Sequence, residues 1–114
     1  MNGCIFCKII KGEIPCSKIY EDDKVLAFND INPEAPVHFL IITKKHLESI
    51  MDFKEEDFFL ISHIMKIINK LAKDIGIDGK GFRIVNNIGK EGGQTVPHMH
   101  FHVLGGRNLQ WPPG

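Results

Sequence analysis

The chain has 114 residues, 43% of them hydrophobic and 25% charged, with 14 basic residues cancelled by 14 acidic ones. That length fits a single domain, residues 1–114, able to bury about two thirds of its unfolded surface. The composition excludes a disordered chain, and the zero net charge gives no field favouring nucleic acid or anionic lipid. No segment approaches the ~20 continuous apolar residues of a membrane span. "MNGCIFCKIIKGEIPC" lacks a signal peptide's order of charge, long apolar run and cleavage site. A soluble, cytoplasmic protein that binds a small molecule or another protein is expected.

Taken in chain order, "KIYED" near residue 20 can form a short strand. "KVLAFNDI" and "PVHFLIITK" read as strands separated by the turn "NPEAP", and "KKHLESI" as a helical turn. Glu55 to Gly76 predicts one long helix. Phe58, Ile61, Ile64, Ile68, Leu71 and Ile75 recur at steps of three and four and mark its apolar face. Acidic residues Glu55, Glu56 and Asp57 suit its N-terminal dipole, and Gly76 its end. His63 lies off that face and is expected to be solvated. Then follow the strand "GFRIVNN", the glycine-rich loop "IGKEGGQT" and a strand "VPHMHFHVLGG". Strands, a long helix and more strands indicate an α+β fold with a meandering antiparallel sheet. The tail "LQWPPG" carries two prolines and cannot add a central strand; it either docks on a partner subunit or ends loosely.

His98, His100 and His102 alternate with Met99, Phe101 and Val103. On a strand the three imidazoles share one face, turned to solvent or a cleft, with Cβ atoms roughly 6.5–7 Å apart. Three in line fit one ion poorly, because zinc–nitrogen bonds of about 2.0–2.1 Å require tight convergence. Neutral imidazole is a nucleophile and a proton carrier near neutral pH, so such a row suits phosphoryl chemistry. The preceding glycines let N–H groups approach a phosphate, and Gln94 and Thr95 add side-chain donors.

Cys4 and Cys7 have the C-x-x-C spacing that grips one ion from a single turn. Two further ligands are needed, and His46, His38 and His98 are the candidates. Free thiols or redox chemistry are the alternatives, although redox use calls for a strand–helix context. Cys16 has no cysteine neighbour and reads as a small buried residue or a bystander.

"QTVPHMHFHVLGG" resembles the signature of the histidine triad (HIT) superfamily, His-φ-His-φ-His-φ-φ with φ apolar. Residues 4–46 and the ending "GGRNLQWPPG" are similar to its Hint branch, the purine nucleoside phosphoramidases. The resemblance implies a HIT-like fold: a five-stranded antiparallel meander, one long helix and a short N-terminal helix. It also implies a homodimer with a continuous ten-stranded sheet and each tail near the partner subunit. The implied reaction hydrolyses the P–N bond of a purine nucleoside 5′-phosphoramidate through a nucleotidyl-histidine, with no nucleic acid or membrane as partner. His100 then matches the nucleophile, His102 the residue at the phosphate and leaving group, and His38 a supporting histidine. Thr95 joins the catalytic set.

The same resemblance gives Asp30 the ribose hydroxyls, a role its chemistry suits because a carboxylate accepts two hydroxyl protons; otherwise Asp30 is a turn-starting aspartate. Ile5, Phe6, Ile9, Phe28 and Ile31 correspond to an apolar purine slot. Asn87, Gly93, Gln94 and Thr95 correspond to the phosphate-side loop. Members with this C-x-x-C are similar to zinc proteins, which narrows the ligands to Cys4, Cys7, His46 and His98 around a structural Zn2+. Two positions depart from the common pattern: Thr95 stands in place of serine and Pro97 in place of an aromatic residue. The rival readings are a nucleotide-binding interaction protein with incidental hydrolysis, and a dinucleoside polyphosphate hydrolase or nucleotidyltransferase of a sister branch.

Overall fold

The computed structural model describes residues 3–114. A short helix α1 (Ile5–Ile10) precedes three strands, β1 (Lys18–Glu21), β2 (Val25–Asn29) and β3 (Val37–Thr43). Two 3-10 turns, Ile50–Asp52 and Glu55–Asp57, lead into α2 (Phe59–Ile75), which β4 (Phe82–Val85) and β5 (His100–Gly105) follow. The antiparallel sheet has the order β1-β2-β3-β5-β4. The expected meander therefore holds from β1 to β3 and again for the β4–β5 pair. It is β5, not β4, that lies beside β3, so the histidine strand is central and covered on both flanks. No helix among the described residues is long and apolar enough to cross a membrane.

Two layers cover the sheet. On one face, Val25, Ala27, Phe39, Ile41, Phe101 and Val103 pack with Leu60, Ile64, Ile67, Ile68 and Leu71 of α2. On the other, Leu26, Phe28, Leu40 and Ile42 pack beneath Cys4, Phe6 and Cys7 of the N-terminal segment. This explains the unbroken apolar run "FLII": β3 is buried on both sides.

Helix α2 starts later than its acidic leader and ends on Gly76, whose φ of 92° closes it in the left-handed region. Its buried stripe is rotated from the one expected. Leu60 and Ile67 are in the core, whereas Phe58 is 50% and Ile75 41% exposed, and Ile61 is only partly buried. Both sets have helical spacing, so periodicity alone does not choose between them; the direction in which the helix docks does. Residues 44–45 and 48–49 form bends in place of the expected helical turn, the first 3-10 turn beginning at Ile50. His63 is not merely solvated either: Nε2 lies 2.7 Å from Oδ2 of Asp22, tying α2 to the β1–β2 turn. Cys16 is partly exposed at the edge of the second apolar cluster.

Candidate active site and metal-ligand cluster

The triad does not form one exposed row. β5 begins at His100, so His98 precedes the strand in a bend, and His98 and His100 are 0% and 4% exposed. Helix α1 is the cover. The ring of Phe6 meets those of His98 and His100 edge-on, at 5.8 and 5.1 Å between centroids. Only the opposite side of the strand is as expected, with Met99, Phe101 and Val103 in the α2 core.

Hydrogen-bond partners fix which nitrogen of each ring carries the proton. His98 Nε2 donates to the Thr43 carbonyl at 2.7 Å, which leaves the Nδ1 lone pair free. That lone pair faces Cys4 Sγ at 3.2 Å, His46 Nδ1 at 3.2 Å and Cys7 Sγ at 3.7 Å. Cys7 Sγ lies 3.2 Å from His46 Nδ1, and all four ligand atoms fall within 4.8 Å of one another. A tetrahedral ion with ordinary zinc bond lengths separates its nitrogens by about 3.3 Å and its sulfurs by about 3.8 Å. The donor set fits such an ion. Cys4 caps α1, its sulfur accepting the Cys7 N–H, so the cluster also anchors the helix that covers the histidines. Burial, then the neighbouring Cys4 thiol, push the Cys7 thiol up, the direction a bound cation reverses.

His100 Nδ1 donates to the carbonyl of His98 at 2.6 Å, which leaves Nε2 unprotonated and nucleophilic. The third ring is held differently. The Glu34 N–H donates to His38 Nδ1 at 3.0 Å, so the proton of His38 sits on Nε2. From there it is donated to His102 Nδ1 at 2.9 Å, and His102 in turn carries its own proton on Nε2. The β3–β5 register makes this contact possible: His38 lies opposite Leu104 and Leu40 opposite His102, so the two histidines are diagonal neighbours on one face. Burial holds His98 and His100 below the usual histidine range. Burial, then the neighbouring His100 and His38 rings, bring His102 down to about 4 against the opposing pull of Asp30.

Asp30 joins this group with Oδ2 3.4 Å from His38 Nε2, while Oδ1 accepts the Asn32 N–H and shapes the turn. Asp30, His38 and His102 are close enough to hold an ion. Their proton order argues otherwise, because a metal on His38 Nε2 would force a proton onto Nδ1, against the Glu34 N–H.

The apolar slot assembles in part. Phe6 and Phe28 are buried and meet edge-on at 5.8 Å, with Ile9 packed alongside. Ile5 is 45% and Ile31 89% exposed, so these two lie at the surface. In the glycine loop, a Cβ on Gly92 would stand 2.4 Å from the Ile88 carbonyl oxygen, and Gly93 has a φ of 78°. The amide of Gln94 is engaged within the protein: its Nε2 donates to the Glu48 and Val96 carbonyls and its oxygen accepts the Gly89 N–H. Gln94 therefore braces the loop. Thr95 is exposed on a cleft of about 460 Å³ shared with Cys4, Ile5, His46 and Pro97. Asn87 lines a second cleft, of about 610 Å³, with Gly92, Leu104 and the tail.

Four contributors left no sequence signal, or little. The Thr43 carbonyl, the Glu34 N–H and the Leu47 carbonyl that accepts the Met99 N–H at 2.6 Å are main-chain groups. Asn86, whose side chain donates to the His100 carbonyl at 2.8 Å, follows directly on β4, where a polar doublet was the only hint.

Residues 11–109 match the HIT domain family, and the chain belongs to it. It is 52% identical to an uncharacterized HIT-like protein of Synechocystis over 110 residues, 96% of each chain. The fold is similar to that of a HIT family hydrolase from Legionella pneumophila, with a TM-score of 0.95 and 48% identity over 98% of this chain and all of that one. It is also similar to a histidine triad protein from Clostridium difficile, with a TM-score of 0.91 and 54% identity over 94% of this chain and 93% of that one.

Proposed function

We propose that this chain is a hydrolase of the Hint type that cleaves the P–N bond of purine nucleoside 5′-phosphoramidates. The observation that carries the reading is the proton order of the triad: His100 presents a lone pair on Nε2 while His102 presents an N–H. In the first step His100 Nε2 attacks the α-phosphorus and the P–N bond breaks. The departing amine takes a proton relayed from solvent by the Thr95 hydroxyl. His102 Nε2–H donates to a phosphate oxygen as its charge develops, which is the arrangement that stabilises such a transition state. Water then displaces His100 from phosphorus and releases the nucleoside monophosphate. In this reading Asp30 accepts the ribose hydroxyls, and Phe6, Phe28, Ile9, Ile5 and Ile31 hold the purine. Asn87, Gly93 and Gln94 shape the phosphate side.

The four-residue cluster of Cys4, Cys7, His46 and His98 holds a structural Zn2+ in this reading. Bound there, the ion neutralises the buried thiolates. Its ligands fix α1 over the histidines and leave His98 out of the chemistry. The protein acts in the cytoplasm as a homodimer, with each tail beside the partner's sheet.

The test is hydrolysis of an adenosine phosphoramidate by the His100→Ala variant. Loss of at least about a thousandfold in rate is expected, since covalent catalysis is removed. A quenched reaction of the native protein should trap the nucleotide on His100. An adduct on another histidine, or an unimpaired variant, refutes the assignment. Tight nucleotide binding without turnover would instead favour an interaction protein.

A further inference from the structure

The proton of His38 is held on Nε2 from two sides: the Glu34 N–H, aimed at Nδ1 from 3.0 Å, excludes it from that nitrogen, and Asp30 Oδ2 lies 3.4 Å from Nε2. Residues 31–36 lie outside the strand ladder, in a run of bends. The aim of that N–H therefore depends on what holds the bend in place. Arg107 does so from 73 residues away: its Nε and Nη2 both donate to the Glu34 carbonyl, at 3.1 and 2.8 Å. Its third donor, Nη1, binds the carbonyl of Asn108, which fixes the guanidinium against its own backbone. The residue before it tightens the same contact. Gly106 has a φ of 90°, and a Cβ there would stand 2.9 Å from Cβ of Pro36. The end of β5 thus closes on the 34–36 bend through a backbone approach and a two-pronged hydrogen bond together.

We propose that Arg107 is a positioning residue that sets the tautomers of His38 and His102. The order runs from Arg107 to the Glu34 carbonyl, from the Glu34 N–H to His38 Nδ1, and from His38 Nε2–H to His102 Nδ1. Its last member presents an N–H outward. With the order lost, His102 can take the opposite tautomer and turn a lone pair towards a phosphate, which repels it. The catalytic consequence rests on the phosphoramidase reading; the tautomers do not.

The experiment records long-range nitrogen–proton NMR spectra of the histidine rings in full-length Arg107→Met, Arg107→Lys and the native protein, without substrate. Native His38 and His102 should each show a single tautomer with the proton on Nε2. In Arg107→Met both should become mixtures, and Arg107→Lys, which keeps the charge but not the fork, should fall between. The rate on an adenosine phosphoramidate should drop about tenfold in Arg107→Met, a fraction of the 10²–10⁴ that a positioned proton donor is worth. Unchanged tautomers in both variants overturn the proposal, even if their stability or rate falls. A native protein inactive on phosphoramidates refutes the reaction and leaves the tautomer measurement to decide the role of Arg107.

Discussion

The carbonyl oxygen of His98 accepts the Nδ1–H of His100 at 2.6 Å, while the ring of His98 turns the other way, into the cluster of Cys4, Cys7 and His46. One residue therefore serves two sites, its side chain one and its main chain the other. Anything that moves His98 also moves the proton of the proposed nucleophile. Phe6, set between the two cysteines in sequence and lying against both rings, strengthens the link.

Loss of the proposed Zn2+ should accordingly be felt in both stability and chemistry. Cys7→Ser is expected to lower zinc content and to lower Tm by on the order of 10 °C, because binding energy at such a site is folding energy. Metal analysis of protein purified without added metal, paired with calorimetry, checks this. Native protein with under about a tenth of an equivalent of zinc and freely alkylated Cys4 and Cys7 would count against the site.

Acid should weaken the fold first through the histidines. His102 is depressed to about 4 by burial and then by its neighbouring imidazoles, against about 6.5 in an unfolded chain. A depressed group contributes stability above its unfolded value and loses it as pH falls towards the folded one. Native stability should therefore decline between about pH 6.5 and 4, by on the order of 1–2 kcal/mol for His102 after allowing for its partial exposure. Urea melts across that window should be visibly flatter for His102→Gln. Parallel curves for the two proteins would defeat the prediction.

A second acid window lies lower and belongs to a different part of the molecule. Burial disfavours the charged Asp22 carboxyl, but the Lys24 N–H, the Tyr20 hydroxyl, the Val25 N–H and His63 outweigh it and hold the group at about 2. The sign is the same: the contribution is complete above about pH 4 and disappears on the way to pH 2. Asp22→Asn should cost about 1–2 kcal/mol at neutral pH and remove this lower limb of the acid melt. A variant that retained the limb would show that another carboxylate causes it.

The glycine-rich loop should be intolerant of a single methyl group. Gly92→Ala places a carbon against the Ile88 carbonyl and must displace the turn, at a cost on the order of 1–3 kcal/mol. Turnover should fall more than stability if this loop borders the phosphate, which a comparison of kcat with Tm resolves. Equal turnover in the two proteins would detach the loop from the reaction.

Much of this protein is determined by its sequence alone. The α+β class, the long helix, the strand cores and the Cys4–Cys7 pair are written in local periodicity and spacing. So is the apolar back of the histidine strand, because alternation is a property of the backbone itself. The four ligands inferred from the family resemblance do converge, although the chemistry of the cysteines alone left His38 among the candidates.

The tertiary structure decided the rest. It rotated the buried stripe of α2, placed β5 between β3 and β4, and covered His98 and His100 with α1. It also divided the imidazoles by their protons. That last step depends on main-chain groups of His98, Thr43 and Glu34, whose N–H and C=O are common to almost every residue type. Where those groups point is fixed by packing between distant segments, and no local pattern of side chains records it.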